Sequence, residues 1–368
     1  MIALRALGVL VGCGVALATV LSAVRTTVLP RGVPSRVTRL VFVLLRLGFQ
    51  ARVGRAATYT VRDRVFANYG PYALLLLLQV WLFGVYGGFA LAQWAGSPSR
   101  GAADALKESG SALTTVGFDA PSGALATTLS FAEASAGLLL VALLISYLPA
   151  IYGAFSRREA LVTKLEVRAG DPPTGSEMLR RAWVLGRMEA LDATWLELET
   201  WFGDIEETHT SFAALVFFRS PQPDHSWVTA AGAGLDSASL LVSCLDLPPS
   251  AEAQLCIRSG YLSLRQIAGY FQIPFPRDPR PDDPITVTRA EWEDVVTELA
   301  AAGLPVKADR DEAWRDFAGW RVNYDYCLVA LAALAQAPYA PWSSDRSVTG
   351  ARPPRVFLRR PHDSVGAH

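Results

Sequence analysis

The chain has 368 residues, of which 51% are apolar, and it carries 34 basic and 34 acidic side chains. Its mean hydropathy of +0.25 is high for a soluble protein and low for a chain that lies wholly in a membrane, and its length suits about two domains. Residues 1–155 hold 12 basic and 5 acidic side chains (net +7), whereas residues 156–368 hold 22 and 29 (net −7). A basic membrane half and a mildly acidic soluble half are therefore predicted, and a basic tract in this setting indicates lipid headgroups before nucleic acid.

Three apolar segments are long enough to cross a bilayer, which takes about 20 residues. They cover approximately residues 2–29, 71–95 and 131–155. Small residues around Ser22 and Ala23 leave a cleaved signal peptide as an alternative for the first segment.

Arginine counting predicts the topology. Nine arginines lie between Arg25 and Arg64, so this tract is expected in the cytoplasm, with the N-terminus outside the cell membrane and the C-terminal domain inside. Within the tract, Arg36, Arg39 and Arg46 fall close to one helical face of residues 36–50, with apolar residues opposite. This pattern is typical of an amphipathic helix among lipid headgroups; a helix that packs on the soluble domain is the alternative.

The connection between the second and third segments is not a simple hydrophilic loop. Residues 102–113 have the composition of a short helix, the letters TTVGF follow at once, and residues 120–123 read as a turn. Such an element between two spans predicts a re-entrant loop, because irregular backbone at membrane depth needs protein or an aqueous path around it. The negative end of the short helix favours a cation.

The order of helix, short helix, Thr115-Val116-Gly117-Phe118 and helix over about residues 70–155 resembles the pore domain of the potassium-channel family. The resemblance implies a homotetramer that passively conducts a monovalent cation, with potassium the first choice, and without a cofactor. It places the ion at Thr115, Val116 and Gly117, with Thr114, Phe118 and Asp119 completing the selectivity filter.

The resemblance has one departure, since Asp119 stands where the family has a second glycine or directly after a deleted one. Altered outer sites and a degenerate filter are expected, and potassium selectivity is in doubt. The alternative is a non-conducting membrane scaffold or sensor with a cytoplasmic helical interaction domain. An enzyme is not predicted, because no catalytic constellation is found.

The third segment is expected to line the pore. Gly137 is a candidate hinge, and Tyr147 and Pro149 are candidates for a gate, because a proline removes a helical hydrogen bond; a kink that only improves packing is an equal alternative. Glu133 near the outer end needs a polar partner, either by bracing the pore loop or by lining a vestibule.

The C-terminal half is predicted to be all-α, with helical runs over about 176–201, 204–218, 226–246, 250–272, 288–303 and 311–337. Glu206 and His209 share a helical face, and His225 lies a loop away. They are weak candidates for a metal site, since di-iron bundles use two such Glu-x-x-His motifs, and a polar network is the alternative. The ligand or protein partner of this domain is unknown.

The predicted fold is thus an all-α membrane protein with three transmembrane helices, a re-entrant pore loop and a cytoplasmic all-α domain. Its parts are a first transmembrane helix (1–30), a basic interfacial or cytoplasmic segment (31–69), a pore module (70–156), a linker (157–173), a cytoplasmic helical domain (174–340) and a disordered tail (341–368).

Overall fold

A computed structural model describes residues 2–28, 35–53, 59–97 and 101–347 of the chain. The structure is all-helical, with 75% helix and no strand among the described residues. Two short 3-10 helices, Met188–Ala190 and Ala213–Phe217, flank the eighth α-helix. The α-helices are α1 (Ile2–Thr27), α2 (Arg36–Val53), α3 (Tyr59–Phe66), α4 (Tyr69–Gly96), α5 (Ala102–Leu113), α6 (Ala124–Ala169), α7 (Gly175–Val184), α8 (Leu191–Ser211), α9 (Trp227–Cys244), α10 (Ala251–Tyr270), α11 (Arg289–Ala301), α12 (Arg310–Arg321) and α13 (Asp325–Ala335).

Three helices, α1, α4 and α6, are long and apolar enough to cross a membrane, which supports the predicted membrane class. Helix α6 is longer than expected. Its 46 residues extend over roughly 69 Å at the helical rise of about 1.5 Å per residue, more than twice the ~30 Å hydrocarbon core. The segment predicted as a linker, 157–173, is therefore mostly helix, because α6 continues without interruption to Ala169.

The chain divides into two compact units. We call Met1–Arg52 with Asn68–Gly153 the membrane unit, and Val53–Ala67 with Ala154–His368 the C-terminal unit. The division falls inside α6, three residues before the predicted end of the pore module at 156.

Small residues determine how α1 packs against α4 within the membrane unit. A Cβ built on Gly12 would lie 2.5 Å from the Gly88 carbonyl oxygen, and one built on Gly88 would lie 2.8 Å from the nitrogen of Ala16. Close approach of helix backbones through such residues is the usual way that apolar helices associate in lipid. Ser22 lies in the same packing, where its hydroxyl accepts a hydrogen bond from Trp81 Nε1 (3.1 Å). Helix α1 thus packs closely against α4.

Helix α2 belongs to the membrane unit and packs on the ends of α1 and α4. The Thr26 and Thr38 hydroxyls are 2.8 Å apart, and the Tyr69 hydroxyl donates to the Phe42 carbonyl oxygen (2.9 Å).

The three arginines of α2 that were predicted to share a face differ in exposure. Arg39 and Arg46 are half-buried, whereas Arg36 is exposed. The exposed side also carries Leu40, Leu44 and Leu47, which is an apolar stripe suited to a lipid surface.

Polar side chains fix where the helices of the C-terminal unit begin. Thr174, Ser226, Ser250, Thr288 and Asp309 each accept a hydrogen bond from a backbone N–H in the first turn of the following helix, as N-cap residues do. Helix α9 is the centre of the unit, since 16 of its 18 residues are buried. It packs against α7, α10, α12 and α13.

Several predicted helical runs are broken in the structure. The run 176–201 is interrupted because Gly186 has φ +63° and ends α7, and the run 311–337 is interrupted by the turn between α12 and α13. At the C-terminal end, Trp342 and Ser343 are buried, so the folded part extends beyond the predicted boundary at 340. The predicted disordered tail after residue 347 lies outside the described residues.

Candidate functional site

The short helix α5 lies between the two apolar helices α4 and α6, as the sequence predicts, and its bounds agree with the prediction. It begins after Gly101, whose N–H donates to the Asp104 carboxylate (3.3 Å). The Tyr86 hydroxyl of α4 donates to the Leu106 carbonyl oxygen of α5 (3.2 Å). Helix α5 is therefore attached to α4 through its backbone.

A buried carboxylate binds α5 to both neighbours. Glu133 of α6 has no exposed surface. Its Oε1 accepts a hydrogen bond from the Ser109 hydroxyl of α5 (2.5 Å), and its Oε2 accepts one from Gln93 Nε2 of α4 (3.2 Å). We call these three residues the Glu133 clamp. Of the two roles predicted for Glu133, the structure has it bracing α5.

A second buried carboxylate joins α5 to α6 one turn earlier on α6. Glu108 is 1% exposed, and its Oε1 accepts a hydrogen bond from the Ser130 hydroxyl of α6 (3.3 Å). Neither serine stood out in the sequence, because nothing local distinguishes a serine that faces a carboxylate on another helix.

Residues 114–119, the filter-like turn, differ from the predicted extended filter. The Thr115 N–H donates to the Ala112 carbonyl oxygen (3.1 Å) and the Val116 N–H donates to that of Ser111 (3.1 Å), while Thr115 has φ +55°. This is the Schellman motif that ends many helices, with Thr115 in the position usually taken by glycine. The start of the turn therefore folds back on α5.

Ser111 fixes the filter-like turn by accepting two of its backbone hydrogen bonds. Its hydroxyl accepts a hydrogen bond from the Asp119 N–H (3.2 Å), and its carbonyl oxygen accepts from Val116. Gly117 has φ +74°, so positive φ recurs at alternate residues 115 and 117. No described residue donates a hydrogen bond to the carbonyl oxygens of Thr115, Val116 or Gly117.

The filter-like turn is exposed in the single chain. The side chains of Val116 and Phe118 are 65% and 67% exposed, Thr114 is exposed as well, and Asp119 is half-buried. Large apolar side chains at the tip of a turn are what another chain or lipid would cover.

Gly137 is placed by a close contact. A Cβ built on Gly137 would lie 2.6 Å from the Leu113 carbonyl oxygen at the end of α5. Helix α6 runs without a break through both Gly137 and Pro149. The position therefore requires glycine for packing against α5, which the hinge interpretation did not foresee.

The two gate candidates face differently. Tyr147 is buried and lines a small cavity together with Ala23, Leu77 and Trp81, whereas Pro149 is exposed. Tyr147 is thus a packing residue within the membrane unit, and Pro149 lies on the free surface of α6.

The free surface of α6 has two chemically different sides. On a helical projection at 100° per residue, the exposed residues of one side are large and apolar, and those of the other are small or hydroxylic. The large side comprises Leu138, Val141, Ile145, Leu148 and Tyr152, and the small side comprises Ala132, Ser135, Ala142, Ser146 and Ala150, interrupted by Leu139.

The weak metal candidates of the C-terminal unit are not brought together. His209 is fully buried, with Nδ1 2.8 Å from the Ile205 carbonyl oxygen and Nε2 3.3 Å from Arg158 Nη1. Because arginine only donates, Nε2 is the acceptor and Nδ1 carries the proton. Burial, and next the charge of Arg158, lower the pKa of His209 well below its usual value.

Glu206 and His225 have other partners. Glu206 accepts a hydrogen bond from the Ser263 hydroxyl (3.2 Å), and Nε2 of His225 lies in contact with the Glu166 carboxyl group. Within the described ranges no three His, Cys, Asp or Glu side chains are grouped as metal ligands. The polar-network alternative describes these residues better.

Comparison of the chain with protein-family models, curated proteins and solved structures finds no match.

Proposed function

We propose that the chain is a cation channel of the potassium-channel type, in which four copies surround one pore. One filter-like turn per chain supplies a single quarter of such a site, so a closed filter needs fourfold assembly. Outer helix α4, short helix α5, the filter-like turn and inner helix α6 follow one another in the order that the resemblance requires. Under this proposal the basic tract and the C-terminal helical unit are cytoplasmic, following the arginine bias.

The observation that carries the proposal is the attachment of α5 to both flanking helices, α4 and α6, which are long and apolar enough to cross a membrane. A polar helix between two spans is stable only if its buried polar groups have partners, and Ser109 and Glu108 both have them on α6. This fixes a helix whose C-terminal end leads into a turn in which the carbonyl oxygens of Thr115, Val116 and Gly117 accept no hydrogen bond from the described residues. Such oxygens, together with the negative helix end, favour a dehydrated cation.

The exposed surfaces fit the same assembly. Val116 and Phe118 of the filter-like turn would be covered by the neighbouring chains. The small and hydroxylic side of α6 suits an aqueous pore, and the large apolar side suits lipid or a neighbouring helix. Monovalent cations, with potassium first, are the proposed substrates.

The test is ion flux through full-length protein in liposomes. Gly117→Ala places a side chain where φ is +74°, and a Cβ there meets no atom within 4 Å, so only the backbone of the filter-like turn is strained. Gly123→Ala is the matched control, because φ is +90° and space is equally free, but the position lies in the exit turn. The proposal expects potassium flux in the parent, loss of flux in Gly117→Ala and retained flux in Gly123→Ala.

Absence of cation flux from the parent protein would refute conduction. The oligomeric state in mild detergent provides an independent check, because a monomer or dimer is incompatible with a fourfold filter.

A non-conducting scaffold or sensor is the second candidate, favoured by the hydrogen bonds that fold Thr115 and Val116 back on α5 and by Asp119 in place of a glycine. A tetramer without flux would support it. Potassium flux lost in Thr115→Gly, which relieves the positive φ but removes the hydroxyl, would count against it.

A further inference from the structure

The C-terminal unit contains a cavity of about 370 Å³ beside the last turn of α6. It is lined by α7, the turn after it and the start of α8. This volume lies in the range of small-molecule sites, about 300–1,000 Å³. The residues that determine its chemistry are Arg168, Arg181, Arg187, Met178, Leu185 and Leu191.

Three arginines and no acidic side chain line the cavity. Arg181 is held in place, since its Nε donates to Glu177 Oε1 (2.6 Å) and its Nη1 donates to the Val167 carbonyl oxygen (2.6 Å). Arg168 Nη1 donates a hydrogen bond to the Lys164 carbonyl oxygen (3.2 Å). Both guanidinium groups keep further N–H donors, because each has five.

Arg187 is placed by the turn that ends α7. Its N–H donates to the Ala182 carbonyl oxygen (2.8 Å) and the Gly186 N–H donates to that of Trp183 (2.9 Å), with Gly186 at φ +63°. This Schellman motif fixes the backbone next to the cavity. The Arg187 guanidinium itself forms no hydrogen bond or ion pair with the described part of the chain, so its donors are available.

The remaining lining is apolar. Met178 and Leu191 are buried, whereas Leu185 and Val167 at the rim are about 70% exposed (70% and 72%). Exposed apolar side chains beside arginines that keep further N–H donors suit a ligand that has an anionic group and an apolar part. Arginine binds carboxylate and phosphate groups in a bidentate way, and a cation is disfavoured because, among the described residues, only Arg181 of the three arginines is paired with a carboxylate.

We propose that this cavity binds a small organic anion that has a phosphate or carboxylate group and an apolar part. The same chemistry is present in a soluble metabolite and in the headgroup region of an anionic lipid. The inference is independent of ion conduction, because it rests on contacts within the C-terminal unit alone.

The experiment uses full-length protein in nanodiscs of phosphatidylcholine, with 1-naphthyl phosphate as the probe and calorimetric titration as the readout. Binding of the probe is expected, and Arg168→Gln combined with Arg187→Gln should weaken it roughly 10-fold or more, because hydrogen bonds to charged groups are lost. Arg258→Gln is the matched control. Arg258 is exposed on α10 and does not line the cavity, so a change of no more than about twofold is expected.

A second arm distinguishes the two sources. In nanodiscs with added phosphatidylglycerol, a lipid occupant should block the probe and raise the melting temperature of the parent but not of the double variant. A soluble occupant leaves probe binding unchanged in these discs. The proposal is overturned if neither the probe nor the anionic lipid binds, or if the double variant binds like the parent while circular dichroism shows it folded.

Discussion

Removal of the Ser109 hydroxyl should loosen α5 from its neighbours. In the Glu133 clamp the Ser109 hydroxyl donates to Glu133 Oε1 at 2.5 Å, and neither residue has exposed surface. In Ser109→Ala one carboxylate oxygen loses its donor where water does not reach it. A buried acceptor left without its donor costs about 1–3 kcal/mol, so local opening of α5 should become more favourable by this amount.

Hydrogen exchange with mass spectrometry on full-length protein in nanodiscs measures this opening. Amides of α5 should exchange roughly 5- to 150-fold faster in Ser109→Ala, since about 1.4 kcal/mol corresponds to a factor of ten. Amides of α10 in the C-terminal unit should be unchanged.

Ser135→Ala is the matched control for this experiment. The Ser135 hydroxyl is exposed on α6 and donates only to the Phe131 carbonyl oxygen of its own helix (2.8 Å). Unchanged exchange of α5 in Ser109→Ala, or equal acceleration in Ser135→Ala, would refute the role of the clamp.

Three further outcomes follow from the packing and the charges. Gly12→Leu should lower the melting temperature of the membrane unit, because a Cβ at this position would lie 2.5 Å from a carbonyl oxygen of α4. Gly14→Leu is the control and should not lower it, because a Cβ at position 14 meets nothing within 4 Å. Equal effects of the two substitutions would contradict the interface between α1 and α4. Arg321→Met should destabilise the C-terminal unit by about 3–5 kcal/mol in chemical denaturation, because Asp236 and a second buried carboxylate lose their cation. A loss of unfolding free energy smaller than that of an exposed arginine variant would contradict this prediction. The pKa of His209 lies below its value in the unfolded chain, so the neutral side chain stabilises the fold above about pH 6.5, and this contribution falls as the pH drops. His209→Gln should therefore flatten the plot of melting temperature against pH between about pH 5 and 7. An unchanged slope of this plot would refute the prediction.

The Arg321 prediction concerns a buried network that the sequence did not reveal. Arg321 has no exposed surface, forms ion pairs with Asp236 of α9 and with Asp325 of α13 (2.8 Å), and donates to the Trp342 carbonyl oxygen. Burial alone would lower the pKa of Arg321, but the two carboxylates raise it, so the guanidinium stays charged. One side chain thus joins α9, α12, α13 and the end of the described chain.

The sequence by itself determined the features that depend on local composition. Long apolar runs predict spans wherever they occur, because the cost of placing them in water is proportional to their own surface, and α1, α4 and α6 are the three helices that meet this criterion. The bounds of α5 were predictable as well, since Gly101 directly precedes the helical run in the sequence and Thr114 directly follows it.

Only the tertiary structure decided which residues meet across the chain. Glu133 needed a partner, but Ser109 and Gln93 are 24 and 40 positions away, and nothing in their own neighbourhood selects them. Gly137 resembled a hinge because a helical glycine is compatible with bending. In the structure, glycine is needed there because the end of α5 lies too close for a side chain. Glu206, His209 and His225 could have formed one site by spacing, yet each has a nearer partner in the packed C-terminal unit. Contacts of this kind depend on how the helices pack together, which the spacing of residues along one helix does not determine.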